Sequence, residues 1–137
     1  MSDAHKVGNA PLEVAVVVRD AGMMNDFYGD VLGLEHVGEL EFIAGTMQRY
    51  ASGDGVVKLV ALSTPPSGSN PPNGVMGDAA GLRYLTVIVD DLDAALARVE
   101  GAGCAVPVPK MEFEPGVWIA IVEDPEGTWV ELVESTG

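Results

Sequence analysis

A chain of 137 residues, with 47 % hydrophobic and 20 % charged residues, has the length and core material of one folded domain and excludes wholesale disorder. Seven Lys and Arg residues stand against 21 Asp and Glu residues, and the formal charge of −14 repels nucleic acid and anionic membranes. One cysteine excludes an intrachain disulfide, and two histidines exclude a His-rich metal cluster. Because the first residues lack the apolar stretch of a secretory signal, we expect a cytoplasmic protein that binds neither nucleic acid nor membrane.

The first half of the chain predicts four strands and one helix after a polar tail. Residues 1–10 show no periodicity and are predicted to be a flexible tail. Asp20 has the side chain of an N-cap, and the helix predicted after it over Ala21–Leu32 ends at Gly33. The predicted strands cover residues 12–18, 35–44, 46–51 and 56–62, and the last two are joined by the tight-turn composition of Ser52–Gly55.

The second half repeats this order after a change in composition. Residues 63–81 are rich in Pro, Gly, Ser and Asn and are predicted to be a linker. The elements predicted beyond it are a strand at 82–89, a helix at 92–100 capped by Asp91, and strands near 104–110, 116–123 and 128–135. Asp20 thus aligns with Asp91, which indicates an internal duplication. We predict an α+β fold in which one domain, 11–135, contains two βαβββ modules, 12–62 and 82–135.

Four sequence segments stand out together, two in each half: Val18–Asp20, Phe27–Leu34, Val89–Ala95 and Asp124–Leu132. In these segments the chain resembles the vicinal oxygen chelate superfamily, which includes glyoxalase I, extradiol dioxygenases and bleomycin-resistance proteins. The resemblance implies that the two modules form a cupped mixed sheet with helices on the outside, that a small-molecule site lies in the cup, and that the protein is a homodimer. It does not select a reaction, because proteins of one fold carry out different chemistry.

The resemblance also implies four site positions, on the first and last strand of each module. They fall on Glu13, Lys58, Tyr84 and Glu131, which we predict to be catalytic. A divalent metal needs imidazole, carboxylate or carbonyl ligands, whereas the Lys58 ammonium offers only donors and Tyr84 is a poor ligand at neutral pH. We therefore predict no metal ligands and no cofactor. A divalent metal held by the two glutamates alone is the disfavoured alternative.

Strand alternation adds substrate-binding candidates in the second half, since side chains two residues apart share a face. Placing Glu131 in the cup places Trp129 there as well. Pairing across the turn at Asp124–Gly127 opposes Ala120 to Glu131. This register brings Trp118 to the same face, so we predict that both tryptophans line the cup.

Two cations are predicted to enter the same cup from the first half. The Ser52–Gly55 turn sets Arg49 opposite Lys58 and turns Met47 to their face. Like charges opposed across a strand pair need an anion, so we expect either the cup glutamates or an anionic small-molecule ligand between them. The alternative is a register slip of one residue, which would turn both cations to solvent.

Three functions remain open for this cup. The first is an isomerase, epimerase or lyase that moves protons on a small carbonyl or carboxylate compound, with Glu13 or Glu131 as base, Lys58 and Arg49 on the anion, and Tyr84 as an added donor. The second is a non-catalytic drug- or metabolite-binding protein, with the two tryptophans against flat rings. The third is a divalent-metal-dependent lyase or dioxygenase.

Overall fold

The computed structural model describes residues 6–135, which form eight strands and two α-helices. The strands are β1 (Glu13–Val18), β2 (Glu35–Phe42), β3 (Gly45–Ser52), β4 (Gly55–Leu62), β5 (Tyr84–Ile88), β6 (Val108–Glu114), β7 (Val117–Glu123) and β8 (Trp129–Ser135). The helices are α1 (Ala21–Asn25), which continues as a π-helical segment over Asp26–Val31, and α2 (Leu92–Gly101). Of the tail predicted at 1–10, residues 1–5 lie outside the described part of the chain.

The strands form two four-stranded sheets of the same topology, with the orders β1-β4-β3-β2 and β5-β8-β7-β6. In each sheet the first strand pairs in parallel with the last strand of its module, and the other pairs are antiparallel. A parallel pair needs a crossover connection, and the helix together with the two intervening strands supplies it. The predicted α+β fold of two βαβββ modules is therefore confirmed.

The first helix begins at the predicted residue, Ala21, but it is α-helical only to Asn25, and its π-helical part ends at Val31, one residue before the predicted end. The Asp20 side chain accepts a hydrogen bond of 3.0 Å from the backbone N–H of Met23, which is N-cap geometry. Gly33 has a φ of 79°, a left-handed conformation that terminates a helix at little steric cost to glycine. Phe27 and Tyr28 lie in the π-helical segment and are fully buried, because they belong to the apolar stripe that faces the sheet.

One hydrophobic core joins the two modules on the helix-bearing sides of both sheets. Its polar link is a buried hydrogen bond of 2.8 Å that Tyr28 Oη donates to Asp124 Oδ2. Burial is the main cause that raises the pKa of both groups, while the hydrogen bonds that Asp124 accepts oppose the rise. The Glu126 carboxylate also accepts hydrogen bonds from the backbone N–H groups of Arg19 and Asp20, at 2.8 and 2.5 Å. The second module thus holds the end of β1.

The predicted pairing of Ala120 with Glu131 is wrong by one residue, since Glu131 is opposite Ile121. Gly127 adopts a left-handed φ of 90° and donates to the Asp124 carbonyl at 3.1 Å. The turn therefore has one extra residue in the left-handed position before β8 begins, the arrangement of a three-residue hairpin loop. A shift of one residue moves every β7 side chain to the other face relative to Glu131.

Part of the predicted linker packs on the second sheet. A 3-10 turn at Gly74–Met76 lies within residues 63–81, and Gly74 is buried. A Cβ added to Gly74 would stand 2.2 Å from the indole ring of Trp129, so backbone lies directly on that ring. Among the helices of residues 6–135, none has the length and apolar character to cross a bilayer.

Candidate functional site

Each sheet has a face turned away from the helices, which we call the outer face. In the first sheet Val57 and Leu59 belong to the common core, so the alternate residue Lys58 lies on the outer face. Strand pairing carries Arg49 to the same face as Lys58. Glu13 lies on this face too, because its β4 partner Val56 is two residues from Lys58. The predicted register of the β3–β4 hairpin is confirmed, and the alternative slip is excluded.

Glu13, Arg49 and Lys58 form one charged cluster on this face. We call Arg49 and Lys58 the cation pair, and Glu13 is the carboxylate that contacts both. Glu13 Oε1 is 3.5 Å from Arg49 Nη2 and 3.4 Å from Lys58 Nζ, so one oxygen serves both cations. The side chains of Arg49, Lys58 and Glu13 are 36, 26 and 41 % exposed. Among the described residues the cations form no other salt bridge, which leaves the cluster with one positive charge in excess.

An apolar row lies beside the cation pair on the same outer face. Val17, Val60 and Met47 are consecutive neighbours across β1, β4 and β3, and Leu40 on β2 completes the row. Val60 is only 9 % exposed although it is not part of the core shared with the helices. Val60 lies on an inner strand of the sheet, and the side chains of Val17 and Met47 flank it on both sides. Met47 lies where it was predicted.

The outer face of the second sheet carries Tyr84, Thr86, Trp129 and Glu131. Tyr84 pairs with Trp129 and Thr86 with Glu131, as in a parallel register. Thr86 Oγ1 donates a hydrogen bond of 2.8 Å to Glu131 Oε1. Trp129 Nε1 donates to Glu123 at 3.3 Å, and the ring is almost fully buried. Thr86 was missed in the sequence, although alternation from Tyr84 points directly to it.

The structure brings Glu13, Arg49 and Lys58 together but leaves Glu131 and Tyr84 apart from them. Within residues 6–135, no hydrogen bond or salt bridge joins the first-sheet cluster to either residue. The catalytic roles of the four predicted residues stay predictions. The first sheet therefore has a charged outer face. The outer face of the second sheet carries the Glu131 carboxylate, the Tyr84 ring and the Thr86 hydroxyl.

Trp118 lies on the helix-bearing side, contrary to the prediction that it lines the cup. It packs against the common core, and Lys110 Nζ lies 5.1 Å from the centre of its ring. The cause is the Gly127 turn, which opposes Trp118 to Glu134 and puts it on the face opposite to Glu131. Trp129 alone of the two tryptophans is on the outer face.

The donor set does not fit the divalent metal that the resemblance implies. The Lys58 ammonium lies against Glu13, the first-sheet carboxylate that a metal would need, and a cation there would be repelled. In the part of the chain that the structure describes, no three His, Cys, Asp or Glu side chains are grouped in a way that could hold a metal ion. The absence of a cofactor stays a prediction.

A cleft of about 790 Å³ lies between β1 and β5. Of the predicted site residues it is lined by Tyr84 alone. Arg19, Asp20 and Glu126 line it as well, where the backbone of β1 is bonded to the second module. The cleft thus adjoins the outer face of the first sheet at Ala15 and Val17, but none of the three charged residues of the cluster lines it.

Comparison with known proteins agrees with the fold just described. Residues 11–132 match the family profile of the Glyoxalase/Bleomycin resistance protein/Dioxygenase superfamily. The uncharacterized Escherichia coli (strain K12) protein YaeR is 27 % identical over 124 residues, which are 88 % of this chain and 92 % of YaeR. A glyoxalase family protein from Bacillus cereus superposes with a TM-score of 0.82 at 17 % identity, over 99 % of this chain and all of the other. TnmS3, an antibiotic binding protein from Streptomyces sp. CB03234, superposes with a TM-score of 0.70 at 23 % identity, over 96 % of this chain and 100 % of TnmS3.

The two βαβββ modules define a protein of the vicinal oxygen chelate fold. The chain belongs to the glyoxalase, bleomycin resistance protein and dioxygenase superfamily, since the match covers most of its length. The resemblance inferred from the four sequence segments is confirmed. Membership establishes the fold and the class, and the chemistry has to be argued from the residues of the outer faces.

Proposed function

We propose that this protein is a small-molecule enzyme that moves a proton on a carbonyl or carboxylate compound, and that it does so without a divalent metal. The observation that carries the proposal is the cation pair, Arg49 and Lys58, which shares one oxygen of Glu13. Lys58 stands at one of the four site positions that the resemblance implies. A cation that belongs to the protein supplies the positive charge that a metal would supply. In a protein of formal charge −14, such a local excess is a site for an anion.

The chemistry assigned to the site is isomerisation, epimerisation or elimination. A base removes the proton from the carbon beside a carbonyl, and the electron pair moves onto the carbonyl oxygen. The Lys58 ammonium and the Arg49 guanidinium face the oxyanion as it forms, which lowers the barrier because the charges are in place before the reaction. The proton returns to the neighbouring carbon or to the other face of the same carbon, or a leaving group departs from the adjacent carbon.

We assign the base to Glu131 and the counter-ion to Glu13, so the substrate has to reach from the cation pair of the first sheet to the outer face of the second sheet. Glu13 is engaged by two cations, whereas Glu131 accepts one hydrogen bond from the Thr86 hydroxyl and forms no salt bridge within the described residues. A carboxylate with a hydroxyl donor on one oxygen keeps its other oxygen for a proton. Tyr84, half-exposed on the same face, is assigned the part of a donor to a ligand oxygen.

Proton exchange with solvent is the test that requires no knowledge of the final product. The protein is incubated with pyruvate and with acetoacetate in D2O, and the loss of the carbon-bound proton signal is followed by NMR. Glu131→Gln is expected to abolish exchange above the uncatalysed rate, while Glu41→Gln, an exposed carboxylate on β2, serves as the matched control. Equal exchange rates for parent and Glu131→Gln would remove Glu131 as the base.

A second function, sequestration of a drug or metabolite without turnover, is supported by the aromatic surface of the second sheet. Tyr84 is exposed there beside the buried Trp129, and an exposed ring of this kind packs against flat ligands. TnmS3, which shares the fold, is an antibiotic binding protein. Binding of an aromatic ligand that quenches tryptophan fluorescence, together with no proton exchange on any carbonyl compound, would favour this function over the enzyme.

We also propose that the protein forms a homodimer, as the sequence led us to expect. Large apolar side chains remain exposed on β2 and β6, the last strands in the orders of the two sheets, among them Val37, Met111 and Phe113. Exposed large apolar side chains are typical of surfaces that another chain covers. Light scattering on a size-exclusion column gives the mass directly, and a mass of one chain, 14.3 kDa, at micromolar concentration would contradict the dimer.

A further inference from the structure

On the outer face of the first sheet, side chains of paired residues form rows that run across the strands, and we call each row a level. One level is polar and the next is apolar. The level of Lys58 contains Arg49 and Ala15, which are its partners on the neighbouring strands. Two residues further along each strand, the level of Val60 contains Val17 and Met47. Strands rise about 3.3 Å per residue, so the two levels lie about 6.6 Å apart. The third level again holds an apolar pair, Leu62 on β4 and Phe42 on β2, with Gly45 between them.

The boundary between the two levels restricts what can lie on this face. The cation pair has room for one further negative charge, because Glu13 already neutralises one of its two positive charges. A second negative charge about 6.6 Å away would lie over Val60 and Met47, which offer it no donor. A ligand without an apolar part would leave that row uncovered.

We infer that the ligand of this site is a monocarboxylate with an apolar body, whose carboxylate binds Arg49 and Lys58 and whose body lies over Val60 and Met47, with Val17 and Leu40 flanking it on β1 and β2. This inference rests on the anion site of the proposed function and adds the class of substrate. A body of about four or five carbon atoms spans the distance of about 6.6 Å between the level of the cation pair and the apolar row. A short acid such as acetate reaches the cations alone, and a dicarboxylate places a charge on the apolar row.

Glu13 has a definite part in this site, since its carboxylate competes with the ligand carboxylate for the same two cations. It is the first residue of an edge strand and is 41 % exposed, so its side chain can turn to solvent when a ligand carboxylate arrives. Both of its contacts, 3.5 and 3.4 Å, are at the long end for charged partners. Glu13 is therefore a competing internal anion that sets the affinity of the site for carboxylates.

The experiment measures binding of hexanoate, acetate and adipate to the full chain by isothermal titration calorimetry. For the parent we expect hexanoate to bind at least about tenfold more tightly than acetate, because each buried methylene adds to the affinity, and more tightly than adipate. Lys58→Met is expected to weaken hexanoate binding about fivefold or more. Lys110→Met removes a lysine that pairs with Asp93 on another surface, and it should leave binding unchanged.

Two exposed positions test the apolar row without disturbing the core. Val17 and Leu40 are 51 and 54 % exposed, and threonine suits a strand, so Val17→Thr and Leu40→Thr keep the fold. Each variant should weaken hexanoate binding about threefold and leave acetate binding unchanged. Ile43→Thr, at a fully exposed residue between β2 and β3, is the control for the loss of an apolar surface residue. Glu13→Gln should strengthen hexanoate binding about fivefold, since it removes the competing charge.

The outcomes distinguish an error in the inferred substrate class from an error in the anion site itself. If acetate or adipate binds as tightly as hexanoate and Lys58→Met weakens all three, the anion site of the proposed function stands and the substrate class inferred here is wrong. If Glu13→Gln weakens hexanoate binding, the carboxylate is not a competitor and this inference is again overturned. If no acid binds the parent or the Glu13→Gln variant, the anion site itself is refuted, and the proposed function with it.

Discussion

Replacing Tyr28 with phenylalanine should weaken the protein more at neutral pH than at acidic pH. The substitution removes only the hydroxyl that donates to Asp124 Oδ2, and it leaves that buried carboxylate oxygen short of a partner. A hydrogen bond to a charged group is worth about 1.5–3 kcal/mol, and removing the donor to a buried carboxylate lowers the stability by most of that amount. We therefore expect the free energy of unfolding to fall by about 2 kcal/mol at pH 7.

The pH dependence follows from the direction of the pKa shift of Asp124. Burial raises its pKa in the folded protein above the unfolded value, so the folded state binds the proton more tightly, and this contribution to stability is lost as the pH rises through the folded pKa. The Tyr28 hydroxyl opposes the rise, and without it the pKa of Asp124 in the folded protein increases further. The loss caused by Tyr28→Phe should therefore be smaller at about pH 4 than at pH 7.

Urea unfolding followed by tryptophan fluorescence measures both quantities, because Trp118 packs against the core and Trp129 is buried. Tyr50→Phe is the matched control. Its hydroxyl donates to the neutral amide oxygen of Asn25 within the first module, so a loss of about 1 kcal/mol without pH dependence is expected. A loss below about 0.5 kcal/mol for Tyr28→Phe, or an equal loss at both pH values, would refute the reasoning.

Three further predictions concern the metal and the segment over Trp129. The melting temperature of purified protein should be the same with and without EDTA, because a metal bound only to the folded state would raise it; a lower value with EDTA would contradict the metal-free site. Lys58→Glu combined with Arg49→Gln should create weak affinity for Mn²⁺ or Ni²⁺ through Glu13 and the new carboxylate, because both cations beside Glu13 are then removed, and calorimetry that detects no binding would argue against their facing each other. Gly74→Ala should lower stability by about 1–3 kcal/mol and shift the Trp129 emission, since Gly74 has a φ of 48° and no room for a Cβ; unchanged emission would show that the ring is not covered there.

Much of the fold was determined by local interactions that can be predicted from the sequence. Asp20 caps its helix and Gly33 ends it because one side chain accepts a backbone hydrogen bond and one residue tolerates a left-handed φ. The opposition of Arg49 and Lys58 was predictable for the same reason: a two-residue loop between Ser52 and Gly55 leaves a single register for the hairpin.

Tertiary structure decided the features that depend on one extra residue or on distant segments. The register of β7 against β8 depended on Gly127 taking a left-handed φ, which the turn composition permits but does not require, and it moved Trp118 from the expected cup to the core. Gly74 reaches Trp129 across 55 residues of chain, a contact that only folding creates. Alternation along a strand assigns a side chain to a face, but the distance between two faces is set by how the sheets pack, which is why Glu131 could be assigned to an outer face and not joined to Lys58.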